Sequence, residues 1–118
     1  MAAWDVHADE QYCYLTTLGR VTGHEHTIEI WFVVVDGRLY LLSGGRDRAD
    51  WVRNLMAEPR VRVRIAGDEY RATATVADDD DTSRRARQLL VDKYQDGYDN
   101  DLTSWRDTGL PIVLTAAP

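Results

Sequence analysis

Residues 18–32, "LGRVTGHEHTIEIWF", run from a basic, glycine-flanked turn carrying two histidines into a β-branched and aromatic segment. His24 and His26 are two apart, so on an extended chain both imidazoles point to one face and could share a metal ion. No third ligand follows nearby: Glu25 faces the opposite side and His7 is remote in sequence. Solvated turn histidines are the simpler reading, and no metal site is assigned. "SGGRDRA", from Ser43, has neither the third glycine of a dinucleotide-binding loop nor the Lys-Ser/Thr step of a P-loop. Ser43 lies in no nucleophile elbow, which leaves a turn. The acidic run "DKYQDGYDNDLTSW" lacks the regular acid spacing and terminal glutamate of a calcium loop, and the carboxylates of Asp78 to Asp81 suit a helix N-terminus.

The rest of the chain must position these groups. At 118 residues, 44% hydrophobic and 29% charged, it reads as one domain, 1–118, with a single core. A net charge of −6 argues against nonspecific nucleic-acid binding, which needs a broad cationic face. Positive charge is nonetheless clustered at Arg46, Arg48, Arg53, Arg60, Arg62 and Arg64, which allows a local anion site. No apolar run suits membrane insertion, and the acidic N-terminus does not read as a secretion signal, so a cytoplasmic location is expected. Cys13 is the lone cysteine, which rules out an internal disulfide.

Tyr12 to Leu18 and Thr27 to Val35 have strand composition; Asp36-Gly37 is the dipeptide of a type I′ hairpin turn, and "RLYLLS" continues the apolar pattern. Ala49, Val52 and Leu55–Met56 then recur at helical spacing, with Asp47 as candidate N-cap and Pro59 as the stop. "RVRVRIAG" alternates Val61, Val63 and Ile65 against arginines, Gly67-Asp68 turns the chain, and "EYRATATVA" returns. Asp81 and Thr82 can cap a second helix running to about Tyr94, "QDGYDNDLTSW" reads as irregular, and "LPIVLTA" is a final strand. Short hairpins favour antiparallel pairing, so the expected fold is mainly β: a small antiparallel barrel with about two helices, closed so that no strand edge is exposed.

Together "LTTLGRVTGHEHTIEIWFVVVDGRLYLLSGG" and "ADWVRNLMAEPRVRVRIAG" resemble the deazaflavin-dependent nitroreductase family, a branch of the flavin-binding split β-barrel proteins related to pyridoxamine phosphate oxidase. The likeness spans about Tyr12 to Val76 and lies in the Thr-Thr-x-Gly-Arg turn, Trp31-Phe32, Gly44-Gly45, and Trp51 through Asn54-Leu55 to Pro59. It implies a split barrel that binds coenzyme F420, an 8-hydroxy-5-deazaflavin, and passes hydride from its reduced form to a quinone, nitroaromatic or enone acceptor. A cofactor that carries the chemistry needs positioning rather than a catalytic triad. By the same resemblance Arg20, Thr22, Gly23, His24 and His26 would clasp the phosphate and acidic tail. Ser43, Gly44, Gly45 and Arg46 would line ring and tail, with Trp51 beside them. Glycines let amides approach an oxyanion, Thr22 adds a hydroxyl, and Arg20 can bind phosphate bidentately.

This chain departs from the family at several of these positions. Val21, His24 and His26 stand where relatives carry basic residues, and Glu29 stands where they often carry proline. Imidazoles gain charge only around and below neutrality, so tail binding is expected to be weaker or pH-sensitive. Two alternatives accompany the deazaflavin reading: an FMN-dependent reductase on the same barrel, and a noncatalytic barrel that binds a cofactor or other ligand. FMN needs one phosphate clasp, whereas the cations at Arg46 and Arg48 suit the longer acidic tail. Relatives include homodimers and monomers, and Asp96 to Asp107, with Tyr98 and Trp105, is a candidate wall for the acceptor pocket.

Overall fold

The computed structural model describes residues 2–117. Seven strands form one antiparallel sheet: β1 (Cys13–Leu18), β2 (Glu25–Ile30), β3 (Val33–Val35), β4 (Arg38–Ser43), β5 (Arg60–Ile65), β6 (Asp68–Val76) and β7 (Leu110–Ala116). Their order is β2-β1-β5-β6-β7-β4-β3. The helices are α1 (Asp50–Ala57), α2 (Asp81–Tyr94) and α3 (Thr103–Thr108), with short 3-10 turns at Ala3–His7, Arg46–Arg48 and Gln95–Gly97. The sheet curls into a split half-barrel. Its two margins, β2 and β3, are neighbours in the chain, separated only by Trp31 and Phe32.

Alternation along the strands builds the core. Leu15, Leu39, Leu41, Val63, Ile65, Ile112 and Leu114 point inward and are fully buried, while Arg60 and Arg64 of β5 face out. Trp4 is buried with them, and its indole N–H donates to the Gly37 carbonyl at 3.1 Å, tying the N-terminal turn to the β3–β4 hairpin. That hairpin has Asp36 at φ 53° and Gly37 at φ 79°, the two left-handed residues that a type I′ turn demands.

Several expectations need correction. Thr27 to Val35 is not one strand: it breaks at Trp31-Phe32, where the chain passes from one sheet margin to the other. The barrel is therefore split, as the family resemblance implies, rather than closed, and among the described residues β2 pairs with β1 alone, leaving its outer edge open. Asp47 does not cap α1; Arg46 adopts φ 54°, Asp47 falls in the 3-10 turn, and Ala49 is the N-cap. The β5–β6 turn is Ala66-Gly67, whose φ values are 52° and 88°, one residue earlier than read. Asp80 caps α2: its carboxylate accepts the Ser83 N–H at 2.8 Å, and the Ser83 hydroxyl accepts the Asp80 N–H at 3.2 Å. The segment read as irregular, 95–105, holds the 3-10 turn Gln95–Gly97 and the first three residues of α3. No helix among the described residues is long and apolar enough to cross a membrane.

Candidate functional site

The β1–β2 turn is held in one shape by its own backbone. Gly19 N–H donates to the His24 carbonyl at 2.7 Å and Gly23 N–H to the Gly19 carbonyl at 2.9 Å, with Gly23 at φ 75°. Gly19 has no room for a side chain: a Cβ there would lie 2.7 Å from His26 Nε2 and 2.9 Å from the His24 oxygen. The missing Cβ lets the His26 ring lie over the turn. Thr22 Oγ1 accepts the His24 N–H at 3.2 Å, so His24 shapes the loop with its backbone.

Arg20 is aimed by α1. Asn54, only 4% exposed, accepts the Arg20 backbone N–H at 3.2 Å and its Nη1 at 2.8 Å, and donates from Nδ2 to Thr17 Oγ1 at 3.2 Å. Asp50 Oδ1 accepts from Arg20 Nη2 at 3.2 Å, and the Asp50 carbonyl lies 3.5 Å from Nη1. A guanidinium has five N–H groups; here Nε–H and one Nη2 hydrogen stay unengaged. Arg20 lines a cavity of about 500 Å³ together with Thr17, Gly19, Val21, Thr22, His26, Thr27, Ile28, Asp50, Trp51 and Asn54. Of the expected residues, Arg20, Thr22, His26 and Trp51 line it, while Gly23 and His24 lie outside its lining. Sequence reading passed over Thr17, Asp50 and Asn54. The available signal was Asn54 itself, a polar residue between the apolar positions Val52 and Leu55 of α1.

Ser43, Gly44, Gly45 and Arg46 lie outside that lining too; Gly44 and Arg46 contact α3, Ser43 braces Arg46, and Gly45 sits against Ala49. Ser43 Oγ donates to the Arg46 carbonyl at 2.9 Å, and Arg46 Nη1 to the Thr108 carbonyl at 2.6 Å. Gly44 backs onto the Trp105 indole, since a Cβ at 44 would sit 3.5 Å from Trp105 Cδ1. The remaining clustered arginines are dispersed: Arg53 donates to the Asp47 carbonyl, Arg60 pairs with Glu58, Arg62 with Glu25 and Glu69, and Arg64 lies over the Tyr14 ring.

A second cavity of about 480 Å³ opens beside α3, lined by Tyr12, Glu29, Ile30, Trp31, Leu42, Tyr98, Asn100, Asp101, Leu102 and Trp105. Trp31 is its platform. The indole stacks on Tyr94 at 4.3 Å and 2°, with the Tyr98 and Trp105 rings edge-on to it at 5.4 and 5.8 Å. No basic residue lines this cavity. Consecutive residues line the two cavities: 26–28 of β2 the first, and Glu29 and Ile30 of β2 with Trp31 just beyond it the second. Among the described residues, no group of three or more His, Cys, Asp or Glu side chains is placed to hold a metal ion.

The first cavity gathers Arg20, Thr22 and His26, residue types that could hold an anion. Asp50 is the one carboxylate that opposes it. The second cavity offers aromatic faces and edges, against which a planar ring could pack. Solved structures share the fold: an F420 reductase at 18% identity and TM-score 0.69, covering 100% of this chain and 96% of that one, and an F420-H2 dependent reductase at 19% and 0.64, covering 91% and 94%. A conserved hypothetical protein of Mycobacterium tuberculosis, at 18% and 0.77, covers 100% of this chain and 82% of its own. The sequence model of the F420H(2)-dependent quinone reductase family matches residues 6–117, and the chain therefore belongs to that family of oxidoreductases, whose cofactor is the deazaflavin coenzyme F420.

Proposed function

We propose that this protein reduces a conjugated small molecule of quinone, nitroaromatic or enone type, with the cofactor's charged tail in the Arg20 cavity and the acceptor against Trp31. The observation that carries this reading is that consecutive residues of the chain line the two cavities, His26, Thr27 and Ile28 the one that holds Arg20, and Glu29, Ile30 and Trp31 the one walled by Tyr98 and Trp105. Reduced F420 supplies the hydride. Arg20 binds the tail through charge-assisted hydrogen bonds, Asn54 fixes the guanidinium, and Trp51 forms one wall. Trp31, Tyr98 and Trp105 orient a flat acceptor and reduce its contact with water. No titratable side chain is assigned the proton that completes acceptor reduction.

The experiment is oxidation of reduced F420, followed by absorbance, with menadione, a nitroaromatic and a cyclohexenone as acceptors, alongside fluorescence titrations with F420 and FMN. Turnover of any one acceptor with F420 supports the reading. Tight F420 binding without turnover would leave a cofactor-binding barrel, and selective binding of FMN would overturn the cofactor placement.

A further inference from the structure

The second cavity is one-sided in charge. Four aromatic side chains, Tyr12, Trp31, Tyr98 and Trp105, share its lining with two carboxylates, Glu29 and Asp101, and with no base. Trp31 lies flat on Tyr94, while the Tyr98 and Trp105 planes stand at 88° and 84° to it, so the cavity's rings meet at right angles rather than as a closed stack. Tyr12 and Tyr98 stay 44% and 42% exposed, aromatic surface that the fold itself does not cover. The face of such a ring is electron-rich, and several rings set around one space attract an organic cation.

Both carboxylates are held by hydroxyl or amide donors rather than by cations. The Tyr14 hydroxyl donates to Glu29 Oε1 at 3.0 Å, and the Thr103 N–H and hydroxyl donate to Asp101 Oδ1 at 2.9 and 2.5 Å. The bonds from the Thr103 side chain and backbone keep the Asp101 carboxyl below its usual range, so it stays charged. Neither acid forms an ion pair among the described residues. The bases of the neighbouring elements are engaged elsewhere: Lys93 donates to the Ala8 and Phe32 carbonyls, and Arg106 to Asp107 and Gln88.

We propose that this protein also reduces conjugated iminium ions, cationic acceptors held by the aromatic rings and the two carboxylates of the second cavity. This rests on the acceptor occupying that cavity. The chemistry matches a site with no assigned proton donor. A hydride leaves the C5–H bond of reduced F420 and forms a C–H bond at the iminium carbon; the C=N π pair moves to nitrogen, giving a neutral amine. The acceptor gains two electrons, the cofactor loses two, and the proton left on the cofactor ring goes to water. A quinone or nitro group needs protons delivered to oxygen, whereas an iminium ion needs none. Its charge is also what the cavity selects, because a cation gains from both the ring faces and the acids, and a neutral ketone of the same shape gains from neither.

The test compares N-methyl-3,4-dihydroisoquinolinium with 1-tetralone, a cation and a neutral ketone of nearly equal size. Each is titrated against the whole protein without cofactor, followed by the tryptophan indole N–H signals in heteronuclear NMR. The cation is expected to bind about tenfold more tightly and to move the Trp31 and Trp105 signals. The double variant Glu29→Gln, Asp101→Asn keeps an oxygen for Tyr14 and Thr103 and should lower that preference roughly two- to fivefold. Glu29→Gln alone, which touches no helix end, should lower it in the same direction. With reduced F420 added, chromatography should find the tertiary amine above a protein-free control. Equal binding of cation and ketone overturns the proposal, as does a preference that both variants leave intact, or a bound cation that yields no amine. If menadione is reduced while the iminium ion is neither preferred nor reduced, the cation reading falls and the quinone-type reading stands. If F420 binds and neither acceptor is turned over, both fall.

Discussion

The Tyr94 hydroxyl holds the backbone of Phe32 at the point where the barrel splits. It accepts the Phe32 N–H at 3.0 Å, and its own hydrogen lies between the carbonyls of Gln11 at 2.9 Å and Phe32 at 3.1 Å. Lys93 Nζ adds a second donor to the Phe32 carbonyl at 3.0 Å. Without a sheet neighbour at the break, these polar groups would be buried unpaired, so one turn of α2 does the work that a ladder would do elsewhere. The same tyrosine ring supports Trp31, which couples the split to the aromatic cavity.

Tyr94→Phe should therefore destabilise the fold by about 1–3 kcal/mol, the cost of a buried N–H left without an acceptor, while keeping the ring stack. Urea unfolding followed by circular dichroism measures the stability, and acceptor kinetics measure the stack. An unchanged midpoint would show that water or another group satisfies Phe32.

Asp50 competes with any anion for Arg20. Asp50→Asn retains an oxygen acceptor for the guanidinium and removes the opposing charge, so it should tighten F420 binding several-fold, more at low salt than at high. Arg20→Ala should weaken it by about 1.5–3 kcal/mol, and Asn54→Ala should shift it in the same direction by releasing the guanidinium. Fluorescence titration of oxidised F420 with each variant distinguishes these outcomes. Equal affinity in Asp50→Asn and wild type would mean that the tail does not approach Asp50.

Much of this was legible locally. Strict alternation in β5, the seven-residue run of β7 and the Asp36-Gly37 turn are each written in adjacent residues, and the structure has them there. What escaped depends on distant partners. Nothing near Trp31-Phe32 announces a break whose hydroxyl partner lies 62 residues on. α3 is only six residues long and is held from outside by Arg46 on the Thr108 carbonyl and by Arg87 on the Arg106 carbonyl. In the site, the family resemblance pointed to Arg20, Thr22 and His26, which one turn carries and one cavity collects. Asn54 needed the docking of α1 against β1 to acquire a role.

Trp31 should matter more to the acceptor than to the cofactor tail. Trp31→Leu keeps apolar volume at the cavity floor but removes the flat platform on Tyr94. The expected result is a several-fold rise in KM for an aromatic quinone with little change in F420 affinity. Steady-state kinetics with menadione at saturating reduced F420 gives the answer. A large loss of F420 affinity with unchanged KM would exchange the roles of the two cavities.

Stability should depend on pH through three groups packed at the split. Burial pushes Lys93 down to about 8, against 10.5 for a free lysine. Burial also pushes the Cys13 thiol and the Tyr94 hydroxyl up, each to about 12, from 9.0 and 10.0. Between about pH 8 and 10.5 the unfolded chain holds the Lys93 proton more firmly than the native one, so this group makes stability rise with pH. Cys13 and Tyr94 act in the opposite sense: the unfolded chain loses their protons first, so stability falls from about pH 9 for the thiol and about 10 for the phenol. The urea midpoint should climb from pH 8 to 9 and decline above 10. In Lys93→Met the climb should vanish while the decline remains; because that variant also loses the bonds to the Ala8 and Phe32 carbonyls, the shape of the profile is the readout, not its height. A wild-type midpoint that already falls between pH 8 and 9 would mean that the ammonium is not penalised by its place between α2 and Phe32.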